Sequence, residues 1–311
     1  MQNFKSLPQL LDYFKDESTC IKYYEEMRWK GNPICPHCDS PKPYVTNRGY
    51  KCSDSKCKKK FTVKVGTIFE NSKISFRIWF AAMYLSITHK KGISSIQLAN
   101  DLGITQKTAW FVLHRLRIMF ENQAPQNLSR DKIIECDETQ VGGKERNRHW
   151  GKKRDRNNPG FANDGSRYNK KKVVFGMVER GGNVIIKHVP DATIESLVPI
   201  IHKCVPHGTN LITDEHVSYI KLKYNYFHQY VNHSRKHYVQ RDTYTNTIES
   251  FWAILKRGII GVYHQVSEKH LHRYLSEFAA RYNSRNMNFL TRLEQFLSNS
   301  DGRLTYKVLT L

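Results

Sequence analysis

Four cysteines and three acids stand where they could do chemistry. Cys35, Cys38, Cys52 and Cys57 fall as C-P-H-C, then thirteen residues, then C-x4-C. Each pair offers two thiolates on a tight turn. Two such knuckles brought together make a tetrahedral all-sulfur site that suits zinc. His37 lies between two cysteines, so its ring points away from a metal held by both. Four cysteine ligands are expected, with three cysteines plus His37 as the alternative. Four ligands leave no open coordination position, so one structural Zn²⁺ is expected, and in a unit this small the metal supplies folding energy. The x4 gap in CSDSKC exceeds the x2 usual in ribbons, so a distorted or widened second knuckle is expected.

Most acids in the chain read as surface charge, but three do not. Asp137 interrupts the apolar run IIECDETQVGG, Asp214 ends LITDE, and Glu249 opens the helical pattern TNTIESFWAILKRG among Ile248, Phe251 and Trp252. Taken singly, each reads as a solvated strand end or helix start. Together they are carboxylates at element ends that open toward loops, where a parallel sheet places its chemistry. Three carboxylates can hold two Mg²⁺ or Mn²⁺ ions, one activating an attacking oxygen and one stabilising the leaving oxygen of a phosphodiester. Such ions also offset the mutual repulsion of the acids. Lys256 and Arg257, about two helical turns after Glu249, are candidates for gripping the phosphates. Glu138 and Glu215, each beside a chosen Asp, are the substitutes if the register is one residue off.

The surrounding pattern says which elements must hold these residues. KIIECDETQ reads as a strand, and VVFGMVE and NVIIKHV, joined by Arg180-Gly181-Gly182, as a hairpin. TIESLVPIIHKCV reads as a helix capped by Thr193 or Asp191, and TNLITDE as a buried strand. A short helix near SYIKLKY, a strand near FHQYVNH and a long helix from Thr247 follow. The order β-β-β-α-β-α-β-α, with the hairpin antiparallel and the later strands parallel, predicts a mixed sheet of the RNase H-like kind. Between the first strand and the hairpin, Lys144 to Lys172 carries eleven Lys or Arg against three acids and little periodicity. It is expected to be a long loop beside the acids that binds a phosphate backbone, with Lys152, Lys153 and Arg154 among its contacts.

Upstream, GISSIQLANDLGITQKTAWFVLHRLR has the layout of a helix-turn-helix. Ile96, Leu98 and Ala99 pack the first helix, Asp101-Leu102-Gly103 makes the turn, and Thr105 caps the second helix. In such motifs the start of the second helix reaches base edges, so Gln106, Lys107 and Trp110 are candidates there, with His114, Arg115 and Arg117 on phosphates. The reading is a multi-domain α+β chain. Its parts are a helical segment (1–30), a zinc ribbon (31–70), a helix-turn-helix region (73–121), an RNase H-like catalytic domain (131–290) and a C-terminal tail (291–311).

Composition agrees with this reading. The chain has 311 residues, 39% hydrophobic and 12% aromatic, which marks it as folded and not disordered. Its net charge is +22, from 50 Lys+Arg against 28 Asp+Glu. Such an excess points to a polyanionic partner, because Lys and Arg set against phosphates release condensed counterions. An anionic membrane surface is the rival, but that usually calls for one basic amphipathic helix, and here the charge is spread along the chain. No run of about 18 apolar residues is present, and MQNFKSLPQLLDYFKDE lacks a signal-peptide layout, so an intracellular protein is expected. In a prokaryote that means the cytoplasm or nucleoid. Seven cysteines, four of them clustered, fit a reducing compartment with one metal site better than a disulfide framework.

From about residue 20 to residue 287 the chain resembles a known family. The matching stretches are RWKGNPICPHCDS, YKCSDSKCKKKFTVKVGTIFENSKISFRIWF, ECDETQVGGKE, VVFGMVERGGNV, LITDEH and TNTIESFWAILKRGI. They resemble DDE insertion-sequence transposases with an N-terminal zinc ribbon, related to the eukaryotic Merlin elements. The resemblance implies an RNase H-like core with Asp137, Asp214 and Glu249 as its triad, and Cys35, Cys38, Cys52 and Cys57 as zinc ligands. Some relatives carry Asn or His as the third acid; Glu249 here implies an active enzyme. The expected partner is double-stranded DNA, at element ends and target, bound by a homodimer or larger assembly. Two other readings are a DNA-binding regulator or domesticated transposase without activity, which has no reason to keep three metal-placed acids, and a plain metal nuclease, which leaves two DNA-binding modules unexplained.

Overall fold

A computed structural model describes residues 4–143, 145–166, 171–231 and 243–310. The chain divides into two compact units, 1–124 with 276–311, and 125–275. Among the described residues, no helix is long and apolar enough to cross a membrane.

The first unit opens with α1 (Leu7–Tyr13) and α2 (Glu17–Trp29), each started by a side chain that accepts from a free backbone N–H, Ser6 and Asp16 respectively. Strands β1 (Tyr44–Thr46), β2 (Gly49–Lys51) and β3 (Lys60–Phe61) form an antiparallel sheet in that order. Trp29 meets Tyr50 edge-on at 5.3 Å, and Tyr50 stacks on Phe61 at 5.6 Å, so the ribbon is fastened to the end of α2 by aromatic packing. Helix α3 (Phe76–Thr88) is apolar on nearly every side and is buried at the centre of this unit. Helices α4 (Ser95–Leu102) and α5 (Gln106–Asn122) form the expected helix-turn-helix. Gly103, at φ +63°, ends α4 in the left-handed conformation that glycine adopts at least cost. Thr105 Oγ1 then accepts from the Thr108 amide at 3.2 Å to start α5. The packing differs from expectation at Ile96, which is 64% exposed; Leu98 and Ala99 carry the contact.

The second unit is built on β4 (Ile134–Val141), β5 (Lys172–Glu179), β6 (Val184–Val189), α6 (Ile194–Cys204), β7 (Asn210–Asp214), a 3-10 segment (Val217–Tyr224), β8 (Phe227–Val231) and α7 (Asn246–Gly258). Its sheet runs β6-β5-β4-β7-β8. The pairs β6–β5 and β5–β4 are antiparallel, and β4–β7 and β7–β8 are parallel. This is the mixed RNase H-like sheet expected from the order of elements. One face is closed by α6 and the 3-10 segment, with Ile134, Cys136, Phe175 and Met177 packed against Leu197, Ile201, Tyr219 and Leu222. The other face meets α7, which buries Ile248, Phe251, Trp252 and Leu255. Strand β5, interior to the sheet, is covered on both faces, which is why VVFGMV carries no polar alternation.

Two expectations change here. The segment between β4 and β5 is not a plain loop. Lys153 and Asn163 are joined by a backbone hydrogen bond of 3.0 Å, as are Asp155 and Phe161, and Arg154 bridges Ala162. Local Asx turns at Asp155 and Asp164, which have no hydrophobic period, hold this small hairpin. Lys144 and residues 167–170 of the expected loop lie outside the described residues. The boundary at 290 also moves. Helix α8 (Glu268–Asn283) runs across the division at 275, and α9 (Phe289–Leu297) and α10 (Tyr306–Thr310) belong to the first unit. Residues 291–311 are therefore not a tail. Phe296 packs on Phe120 at 4.6 Å and Phe289 on Tyr84 at 4.8 Å, burying one face of α9 in the N-terminal core.

Candidate active site and metal centre

The parallel pair β4–β7 sets the first two acids. Ile134 lies across from Leu211 and Glu135 from Ile212, and the ladder stops there. Continued to the end of β7, the same register puts Asp137 beside Asp214 just where the two strands part. Parting parallel strands leave a crevice beyond their carboxyl ends, the place where open sheets bind ligands. Side chains alternate along a strand, so Asp137 shares a face with Glu135, which contacts the start of α7. Asp137 Oδ2 accepts from Trp252 Nε1 of that helix at 2.9 Å. Room for the indole comes from Gly176, directly across β5 from Asp137. A Cβ on Gly176 would lie 2.5 Å from Trp252 Cη2.

Burial pushes the Asp137 carboxyl up to about 7; the negative charges of Glu138 and Asp214 add to the shift, and the indole N–H opposes it. A carboxylate held this reluctantly in its charged form, with another beside it, is a site that a divalent cation would relieve. Asp214 Oδ1 accepts from the His216 amide at 3.1 Å. Glu138 points to the opposite face, where it accepts from the Tyr219 hydroxyl, and Glu215 is exposed. Glu249 is exposed in the first turn of α7, one turn before Trp252, and accepts from Thr245 Oγ1 at 2.9 Å. The strand register thus brings Asp137 and Asp214 together, while Glu249 is turned to its own helix start. Hard carboxylate oxygens of this kind suit Mg²⁺ or Mn²⁺. Trp252, Gly176 and Glu135 were not legible as parts of the site. Only the spacing of Trp252, three after Glu249, carried a signal.

The cysteines do converge. Among the described residues, Cys35, Cys38, Cys52 and Cys57 are the one group of three or more potential metal ligands whose ligating atoms all lie within 4.8 Å of one another. Cys35 Sγ and Cys57 Sγ are 3.9 Å apart, and Cys38 Sγ and Cys52 Sγ 3.4 Å. The edge of a tetrahedron with Zn–S bonds of about 2.3 Å is about 3.8 Å, so the sulfurs fit zinc. His37 is outside the group. The widened knuckle keeps an ordinary turn. The Cys35 carbonyl accepts from the amides of Cys38 and Asp39, and the Asp54 carbonyl accepts in the same way from Cys57 and Lys58. The two extra residues, Ser53 and Asp54, displace the turn from Cys52 without distorting it.

The basic candidates separate into two sets. Gln106 and Lys107 are exposed at the start of α5, with Gln106 Nε2 donating to Ser95 Oγ at 2.9 Å, and Trp110 is half-buried against the His114 ring. His114 and Arg117 are buried, so they cannot reach a phosphate. Arg117 Nε pairs with Glu277 at 2.6 Å. Arg115 donates to the carbonyls of Ile68, Glu70 and Leu304 and ties the unit together. The buried arc of α5 is wider than its apolar residues indicate. In the second unit a cleft of 1210 Å³ is lined by Arg146, Arg148, Lys152, Lys171, Lys172 and Lys256. It brings Lys152 and Lys256 together. Lys153, Arg154 and Arg257 do not line it. Arg154 Nε donates to Pro159 O and Arg257 Nε to Ala253 O.

Two family models match parts of this chain. Residues 130–283 match the family model of the ISXO2-like transposase domain, and residues 15–60 that of the transposase zinc-ribbon domain. An uncharacterized protein in transposable element ISH50 of Halobacterium salinarum is 26% identical over 282 residues, covering 86% of this chain and 91% of that protein. An uncharacterized transposase-like protein of Haemophilus influenzae is 32% identical over 97 residues, covering 31% of this chain and 77% of that protein. Of the solved structures, the Mos1 strand transfer complex aligns with 73% of this chain and 78% of that one, at 13% identity and a TM-score of 0.25.

Proposed function

Because the chain belongs to the DDE-type transposases with an ISXO2-like domain and a transposase zinc ribbon, we propose that it binds the terminal inverted repeats of its own element, cleaves the DNA there and joins the 3′ ends to a target. The observation that carries this reading is Asp137 set beside Asp214 where β4 and β7 part, with the helix of Glu249 over the same face. These three carboxylates would hold two Mg²⁺ or Mn²⁺ ions, which supply activation of the attacking oxygen and stabilisation of the leaving one. Trp252 orients the Asp137 carboxylate. The crevice between the strands admits a phosphodiester, and the cleft beginning at Gln140 and Val141 gives the adjoining backbone Lys152 and Lys256. Gln106, Lys107 and Trp110 read the element end, and the ribbon supports that contact. A homodimer or larger assembly on DNA would bring two ends together, inside the cell.

The test is to incubate the protein with labelled end DNA, target DNA and Mg²⁺ and to map the products. Free 3′-hydroxyl ends at the element boundary, followed by their covalent joining to target, are expected. Specific binding without any broken strand would leave a DNA-binding regulator instead.

A further inference from the structure

The start of α7 lacks a cap of its own. Thr245, at the N-cap position, makes no side-chain bond to the helix amides, and its hydroxyl donates to Glu249 instead. The cap comes from the sheet. Glu135 of β4 is fully buried, and its Oε2 accepts from the amides of Thr247 at 2.9 Å and Ile248 at 3.0 Å. Its Oε1 accepts from Thr247 Oγ1 at 2.8 Å and from Arg180 Nε at 2.7 Å. Arg180 is held in turn: it donates to the Tyr244 carbonyl at 2.8 Å and lies 3.5 Å over the Tyr244 ring. A buried carboxylate is tolerated only when its acceptor sites are filled. Here four donors fill them, three from the helix start and one from the hairpin turn.

We infer that Glu135, backed by Arg180, is a positioning residue that sets the helix of the third acid against the strand of the first. This rests on the triad reading above. Asp137 is two residues beyond Glu135 on the same face, about 7 Å along the strand. Glu249 is two residues beyond Thr247, in the first turn of α7. One carboxylate therefore fixes both the depth and the rotation of α7 relative to β4. The Trp252–Asp137 bond is a second tie one turn later. With the first tie lost, the helix can pivot about the second, and the Glu249 end is the part that swings.

The experiment compares Glu135→Gln and Thr247→Val with the unaltered chain for folding, end-DNA binding, cleavage rate and the Mg²⁺ concentration giving half-maximal cleavage. Gln sets an NH₂ against donors. Val removes the Thr247 hydroxyl and leaves both amide bonds in place. Glu135→Gln should bind ends normally, lose about 10- to 100-fold in cleavage, and need more Mg²⁺. Thr247→Val should shift both quantities in the same direction by a smaller factor, and it decides the matter if Glu135→Gln fails to fold. Unchanged cleavage and Mg²⁺ requirement in the folded variants would overturn the inference. So would a slower reaction at an unchanged Mg²⁺ requirement, which is the mark of general loosening. Asp137→Asn is run alongside. If it also cuts normally, the triad reading has failed; if it is dead while the other two are unaffected, only the positioning role has failed.

Discussion

Asp137 is the residue on which burial, hydrogen bonding and charge meet. Burial pushes its carboxyl from the usual 3.8 up to about 7. Between those two values the folded chain holds a proton that the unfolded chain has released. Stability of the metal-free protein must therefore fall as pH rises through that window. Asp137→Asn carries no such proton. Without added Mg²⁺ or Mn²⁺ its melting temperature should fall less between about pH 4 and about pH 7 than that of the unaltered chain, and it should be the more stable of the two above that range. Parallel melting curves for the two proteins would contradict the account. The sequence marked Asp137 by its place in an apolar strand, but not the groups that shift it. Trp252 and Gly176 meet it only because α7 crosses β5 at the position opposite Asp137.

At the scale of elements, the ribbon and the sheet were the more legible parts. Two closely spaced cysteine pairs in a chain that reads as intracellular point to a metal, and short apolar runs punctuated by turns constrain strand order strongly. The ribbon also gives a direct test. Its three short strands bury little, and Cys35, Cys38, Cys52 and Cys57 converge. Cys38→Ser should lower bound zinc from about one per chain toward none and leave the ribbon unfolded. Metal analysis with amide exchange over residues 31–61 checks this, and full zinc in a folded ribbon would count against it. Less was legible where one helix face meets another. The sequence gives α5 a basic run, but Arg115 and Arg117 are consumed by carbonyls and by Glu277, 160 residues away. Nothing local to α5 could show that α8 and α9 return to bury it. The same holds for Glu135, whose partners lie 45 and 112 residues on.

At the scale of the whole molecule, the proposed function assigns recognition and chemistry to different units. The zinc ribbon and helix-turn-helix lie in the unit of residues 1–124 and 276–311, and the three acids lie in residues 125–275. A change in one carboxylate should therefore leave binding of end DNA intact while abolishing cutting and joining together, because both steps use the same acids. The most direct measurement sets Asp214→Asn against Glu215→Gln on end DNA with Mg²⁺, with binding followed in parallel. Each substitution removes one charge with almost no change in shape, and the two residues are neighbours in sequence. Asp214→Asn should bind the ends as the unaltered chain does and neither cleave nor join them, and exposed Glu215→Gln should do all three. Normal cutting by Asp214→Asn would contradict the account: with Glu215→Gln dead, the acids would be assigned one residue out of register, and with both active, the metal site would lie elsewhere.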